Sequence, residues 1–556
     1  MATKIGKVKV VVHKKYDQSQ VMLLPVDMKS LIGEDHIVHI IDGIVEEMSL
    51  EALNEYYRGG GGSTYHPKMM IKVWIYGYCE RIYTTRRLAK ALRENINLMY
   101  LSGQQYPCFK TLSEFRGNRM QKMIDIIFKQ VLLVLVEAGY IDLGDLYVDG
   151  SKWEANANRY KRVWKKNTER YKASVVERIE DLLEEVKLLQ VEEDEKFGSS
   201  DLKEVGQGRE LTVVLNSAEV NAHLVHLQDM MKAESERAQG DKKRVKDLGR
   251  LSSKIEEEGE KLLKYEEQER ILGQRNSYSK TDVDATMLRM KDDRLLPGYN
   301  VQHSTSKQYI VNYTLAQNGS DSPTLIPHLD KMKERFEGLK LPVNLDFTAD
   351  AGYGSEENYA ALELEGMNAY VKYPLWYQEQ TGELLKKKFR AENWSFDSVA
   401  DFYTCPNNRK LIFTEQRQVC TINGYERTVR LYTCESCQGC PLATDCKKSG
   451  DKARTVQHSP MGEAYKQKAK ELLDTDRGKE KRSNRSIEVE SPFGDIKYNM
   501  QHDRFVLREL AKVYVEYGLL AIGHNLRKVY CLKSGIWQDY YAQRAAQKQQ
   551  KGKKGG

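Results

Sequence analysis

The chain has 556 residues, 40% of them hydrophobic and 30% charged, with a formal net charge of +7. That length and apolar content exclude a disordered chain or a single small domain and predict several folded domains. The charge excess is modest, so a polyanion partner must be read from where Lys and Arg cluster.

The segment MATKIGKVKVVVHKK lacks the continuous apolar core of a secretory signal. The longest apolar stretch, IIFKQVLLVLVEAGY, is interrupted by Lys129, Gln130 and Glu137 and is too short to cross a bilayer, so it reads as a buried helix. The expectation is a cytoplasmic protein with no membrane partner. Residues 1–140 read as helical, because HPKMMIKVWIYGYCERIY, TTRRLAKALRENINLMYL and KTLSEFRGNRMQKMIDIIFKQVLLVLVEAG carry apolar residues at helical spacing. Thr84 or Thr85, and Thr111 or Ser113, stand at N-cap positions. Arg86, Arg87 and Arg116, with Lys90, Arg93 and Arg119, suit a helix-turn-helix-like unit whose basic face lies on phosphates; a helical bundle with a solvated basic face is the other reading. Gly59 to Gly62 read as a joint or turn, with no phosphate-loop lysine after them.

Residues 141–159 contain DLYVDGSKWE, a short strand over Leu146 to Val148 ending in Asp149. Residues 160–290 become rich in Glu, Lys and Arg, and Ile179, Leu182, Val186 and Leu189, then Val245, Leu248, Leu251 and Ile255, follow coiled-coil spacing. Two long helices paired as an antiparallel arm are expected there, as a spacer or oligomerisation device. Residues 291–375 return to strands at YNVQHSTS, QYIVNYTLAQNG, LPVNLDFTAD and NAYVKYP, with helices at TLIPHLDKMKERFEG and SEENYAALELEG. Strand, insertion, strand, strand, helix, strand, helix, strand is the order of an α/β RNase H-like domain with a mixed sheet. Asp350 then ends the fourth strand beside the strand carrying Asp149, at the sheet edge where such folds place their sites.

A third carboxylate is expected from residues 456–535, which are helical in pattern. Glu490 and Lys497 lie seven positions apart, two helical turns, and so share one face, whereas Glu488 points elsewhere. Asp149, Asp350 and Glu490 suit a pair of Mg²⁺ (or Mn²⁺) ions acting on a phosphodiester, with Lys497 on a phosphate. Between sheet and helix, residues 376–455 form a Cys-rich insertion. Cys434, Cys437, Cys440 and Cys446, with Cys405 upstream, have the close spacing of a structural Zn²⁺ site; free thiols and an iron–sulfur cluster are the alternatives. The tail, residues 536–556, is basic and glycine-rich and reads as disordered.

YHPKMMIKVWIYGY, TTRRLAKALRENINLMYLSG, VDGSKWEANANRYK, LPGYNVQ, ADAGYGSEENY and VESPFGDIKYN resemble, in order, blocks of the DDE transposases of bacterial insertion sequences, most closely the insertion sequence eleven-eighty-two family. The resemblance spans about residues 20–530. It implies an RNase H-like catalytic domain interrupted by a helical coiled-coil insertion and a Cys-rich insertion and preceded by a DNA-binding domain. It implies Asp149, Asp350 and Glu490 as the metal-binding triad, with Lys497 matching the family's lysine. Related enzymes carry a Tyr-x-x-Arg-x-x-x-Glu-x6-Lys signature, but Ser483 and Ser486 occupy the Tyr and Arg positions, leaving Arg485 or Arg482 for the phosphate. The implied partners are double-stranded DNA, as terminal inverted repeats and target, and a second copy on that DNA. The implied setting is the bacterial cytoplasm, on the nucleoid when bound. A transposase-derived binding protein without catalysis, and a nuclease without strand joining, are the alternatives.

Overall fold

A computed structural model of the chain describes residues 14–18, 27–55, 57, 63–197, 215–236, 242–342, 344–447 and 452–534. The expectations for Gly59 to Gly62 and for the basic tail lie outside these residues. The chain divides into two compact units, one of residues 1–156 and 299–556, the other of residues 157–298.

The first unit opens with helices, among them α1 (Pro67–Cys79), α2 (Thr85–Glu94) and α3 (Met120–Glu137). Pro67 starts α1, where its missing N–H is an orphan in any case, and every residue of α1 but Lys68 is buried. Thr84 stands at the N-cap position of α2 as expected, but its side chain makes no capping bond. Thr111 and Ser113 cap nothing: both lie inside the helix Phe109–Glu114, which begins after Cys108. No helix among the described residues is long and apolar enough to cross a membrane.

The sheet of this unit contains β1 (Asp145–Glu154), β2 (Leu295–Ser306), β3 (Tyr309–Ala316), β4 (Leu345–Ala349) and β5 (Met367–Val371), side by side in the order β3-β2-β1-β4-β5. β2 and β3 pair antiparallel, while β1, β4 and β5 run parallel, with Tyr147 opposite Thr348 and Ala349 opposite Val371. This mixed α/β order is consistent with the RNase H-like domain expected. Helices α4 (Leu325–Phe336) and α5 (Glu356–Leu364) follow β3 and β4. Helices α6 (Asp476–Gly494) and α7 (Leu510–Lys533) complete the unit. One departure bears on the site: β1 does not stop at Asp149 but continues to Glu154, while its pairing with β4 ends at Tyr147.

α4 is fastened to β2 and β3 by His328, fully buried, which bonds Ser304 Oγ at 2.7 Å and Thr314 Oγ1 at 2.8 Å. Burial holds its imidazole neutral, with a pKa lowered to about 3. Because the unfolded chain binds the proton first, this histidine's stabilisation is complete above pH 6.5 and is lost as pH falls from 6.5 towards 3. In metal-free protein, urea unfolding should therefore weaken by up to about 1.4 kcal/mol per pH unit below 6.5 on account of this residue. His328→Gln should flatten the slope over that window; an unchanged slope would assign the acid sensitivity elsewhere.

The Cys-rich region is a second sheet of five antiparallel strands, from Ser395–Asp397 to Thr455–His458. Leu411, Tyr432, Trp394 and Val456 form its small core. The second unit holds three long helices, Lys165–Phe197, Ser217–Glu236 and Lys242–Leu272, where two were expected. The added helix contributes Val220, Leu224 and Leu227 to the apolar cluster of Ile179, Val186, Leu248, Leu251 and Ile255.

Candidate active site

α6 is laid along the sheet by one row of cations spaced four residues apart. Arg477 Nε lies 2.6 Å from Asp346 Oδ2, Lys481 reaches Asp145 and Asp346 at the starts of β1 and β4, and Arg485 reaches Asp149 and Asp350. The helix thus runs with the strands, and its third cation meets the two aspartates that the sequence singles out.

Arg485 Nη2 is 3.3 Å from Asp149 Oδ2 and 3.3 Å from Asp350 Oδ2, so one positive group bridges both carboxylates. Asp149 Oδ1 also accepts the Gly150 N–H at 2.8 Å, and Asp350 Oδ1 accepts the Gly352 N–H at 2.8 Å. Burial, opposed by Arg485 and reinforced by the charge of Asp350, pushes the Asp149 carboxyl up to about 6. The glycines explain why each aspartate is followed so closely by one. A Cβ at Gly150 would lie 2.6 Å from Asp321 Oδ1, and one at Gly352 would lie 3.0 Å from Asp350 Oδ1. Gly150 marks a close approach inside a strand that runs on past the end expected at Asp149.

Glu490 is not brought to this pair. It lies five residues beyond Arg485, about 140° around the helix, and its side chain is exposed. Glu488 is half-buried and accepts the Gln308 N–H at 2.7 Å. Nor do Glu490 and Lys497 keep the face-sharing spacing of two α-helical turns. α6 contains Pro492 and passes into a π-helical turn, Asp495–Asn499, which shifts the register before Lys497. Lys497 packs 4.2 Å over the Trp153 ring and bonds Ser151 Oγ at 2.7 Å and the Lys152 carbonyl at 3.1 Å, two and three residues after Asp149. Lys372, just past β5, feels both Arg485 and Asp350; burial first, then the Arg485 charge, lowers its pKa.

Two oxygen donors aimed at one cation fit Mg²⁺ or Mn²⁺, which takes one or two carboxylates and completes its shell with water and phosphate. Among the described residues no group of three or more His, Cys, Asp or Glu side chains is set as a ready metal cage.

Two family descriptions match the chain. "Transposase DDE domain" matches residues 404–530, and "Transposase domain (DUF772)" matches residues 26–118. The chain is a DDE transposase. No curated protein and no solved structure matches it. As a transposase it acts on DNA. The DDE match covers Glu490 and Lys497 and begins after Asp149 and Asp350.

The other match covers the helices bearing Arg86, Arg87 and Arg116. Arg86 and Arg87 are exposed on α2, Arg86 stacked 5.0 Å over Phe109. Arg86 lines a cleft with Lys110, Asn156, Arg508 and Lys512, which joins this transposase's N-terminal helices to the end of β1. Arg116 is a correction: only 3% exposed, it bonds Tyr78 Oη at 3.1 Å and the Tyr83 carbonyl at 2.7 Å and lies 4.3 Å over Trp74, so it holds helices together and faces no DNA.

Cys405, Cys434, Cys437, Cys440 and Cys446 line one pocket of the second sheet. Their sulfurs are engaged in part by protein groups: Arg454 N–H donates to Cys437 Sγ at 3.3 Å and Asn407 Nδ2 to Cys440 Sγ at 3.4 Å. Burial and the neighbouring Cys437 push the Cys434 thiol up to about 11. The zinc expectation finds no ligand set here, because the thiols share a pocket without forming a metal cage.

Proposed function

We propose that this transposase binds the terminal repeats of an insertion sequence, cuts the DNA strand at each element end and joins the freed end to a target. The observation that carries this reading is the convergence of Asp149 and Asp350 on a single cationic group. In cutting, a water oxygen attacks the phosphorus at the element end, a new P–O bond forms, and the bond to the 3′ oxygen breaks, leaving a 3′ hydroxyl. In joining, that hydroxyl attacks a target phosphodiester and displaces the target's 3′ oxygen, so one P–O bond forms as one breaks and the attacking proton passes to solvent. Mg²⁺ or Mn²⁺, when bound, supplies activation of the attacking oxygen and stabilisation of the leaving one.

Asp149 and Asp350 are the residues that would hold the ions; Glu490, exposed on α6 and away from the pair, would have to be carried to them when DNA binds. Lys497, braced on Trp153, stands beside the strand of Asp149 and holds a phosphate. Arg485 neutralises the carboxylate pair. Arg86 and Arg87 bear on the DNA backbone. Two ends must meet for joining, so a homodimer on DNA is the working assembly. The strand order and the quoted blocks support the insertion sequence eleven-eighty-two family as the subfamily.

The test is a strand-transfer assay with a labelled duplex ending in the element's terminal repeat, a supercoiled target and Mg²⁺. Joined product from wild type and none from Glu490→Gln, with both proteins binding the duplex equally, is expected. Equal joining by Glu490→Gln would remove Glu490 from the triad, and cutting without joining would favour a nuclease.

A further inference from the structure

In the sequence NGSDSPTLIPH, Asp321 stands where a helix cap is expected, just before the turn Ser322–Thr324 that leads into α4. Its carboxylate does not cap that turn. It is turned inward, where Asn300 Nδ2 donates to Oδ1 at 2.7 Å and Gln302 Nε2 donates to the same oxygen at 3.1 Å. Both amides come from β2 and are buried, and the Tyr353 hydroxyl donates to Gln302 Oε1, fixing which way that amide faces. An aspartate that leaves a cap forgoes its hydrogen bonds to the first N–H groups of the helix, and here three buried side chains hold it in the alternative position.

That position is beside the glycines that follow the two aspartates of the site. A Cβ at Gly150 would meet Asp321 Oδ1 at 2.6 Å, and a Cβ at Gly352 would lie 3.5 Å from Asp321 Oδ2 and 3.0 Å from Asp350 Oδ1. Asp321 Oδ2 and Asp350 Oδ1 therefore flank one point. Both amide bonds to Asp321 fall on Oδ1, leaving Oδ2 turned to that point, and Asp321 forms no ion pair among the described residues. Like charges gathered at close range raise one another's pKa, and a divalent cation among them relieves this.

We propose that Asp321 is a further metal-binding carboxylate of this site, joining Asp149 and Asp350 on the same divalent cation. This rests on the reading of the site given above. Gly150 and Gly352 leave the room for its approach, and Asn300, Gln302 and Tyr353 position it.

The test is Mn²⁺ titration of the full chain without DNA, followed by calorimetry, for wild type, Asp149→Asn, Asp350→Asn and Asp321→Asn. Asparagine keeps the Oδ1 acceptor, so the fold should survive, and thermal unfolding in chelator checks this. Asp321→Asn should weaken Mn²⁺ binding about tenfold or more with an unchanged unfolding temperature. Full Mn²⁺ affinity in Asp321→Asn, beside loss in Asp149→Asn and Asp350→Asn, would overturn the inference and leave the site intact. Unchanged binding in all three would overturn the site itself. Should Asp321→Asn unfold, Fe²⁺ with peroxide applied to wild type decides: backbone cuts near 321 as well as near 149 and 350 support the inference, and cuts near 149 and 350 alone contradict it.

Discussion

Asp149→Asn is expected to lower strand cleavage about a thousandfold, the consequence of losing several kcal/mol of stabilisation where charge develops at the phosphate, while terminal-repeat binding stays within about twofold of wild type, inside the change expected of surface-neutral substitutions. Asparagine retains the acceptor for the Gly150 N–H, and Arg485 keeps Asp350 as its partner. The exposed Arg86 and Arg87 lie on α2, a separate element from the strand altered. Gel-shift and nicking assays on one duplex read both quantities. Loss of binding together with cleavage would make Asp149 a folding residue.

The largest stability effect is expected at Arg335, on α4. Its guanidinium is almost wholly buried and donates to Asn312 Oδ1, to the Tyr313 carbonyl at 2.8 Å, to the Tyr514 hydroxyl and to Asp125 Oδ1 at 2.7 Å. One side chain thereby ties α4, β3, α3 and α7 together, packed 4.9 Å over Phe128 and 4.1 Å over Tyr313. Arg335→Met should cost about 3–5 kcal/mol, because Asp125 and three polar partners are left without it. Lys331 Nζ, 2.9 Å from Asp125 Oδ2, remains as a weaker substitute. Adding Asp125→Asn should then cost little more, since the pair acts as a unit. Urea unfolding of both variants measures this; strictly additive losses would show that the two side chains act independently.

Much of this architecture is legible in the sequence. The run LPVNLDFTAD followed by Gly352 and Gly354 marks β4 and its terminal carboxylate, because apolar alternation ending at glycines is a strand-edge pattern. Less legible is whatever depends on contacts distant in sequence. Gly150 follows the expected strand end at Asp149, but its reason is the approach of Gln302 and Asp321 to the strand, which continues past it. Asp321 before Ser-Pro reads as a cap, and only the amides of β2 show it turned inward. Arg116 reads as a DNA contact because arginine is mostly exposed, yet Trp74, Tyr78 and Tyr83 enclose it. The π-helical turn before Lys497 inserts one residue into the helical ladder and leaves no mark in the apolar spacing, so Glu490 and Lys497 are separated where periodicity joins them. The alternating strands Lys410–Cys420 and Glu426–Cys434 are obscured by the cysteines around them, which suggest a loop held by metal.

The most direct measurement is Mn²⁺ anomalous scattering from crystals of the transposase bound to its terminal-repeat duplex. An anomalous peak about 2.1 Å from carboxylate oxygens of both Asp149 and Asp350 is expected, with the Arg485 guanidinium moved out of the space between them. An Arg485 still bridging the two aspartates on bound DNA, with Mn²⁺ elsewhere or absent, would contradict it.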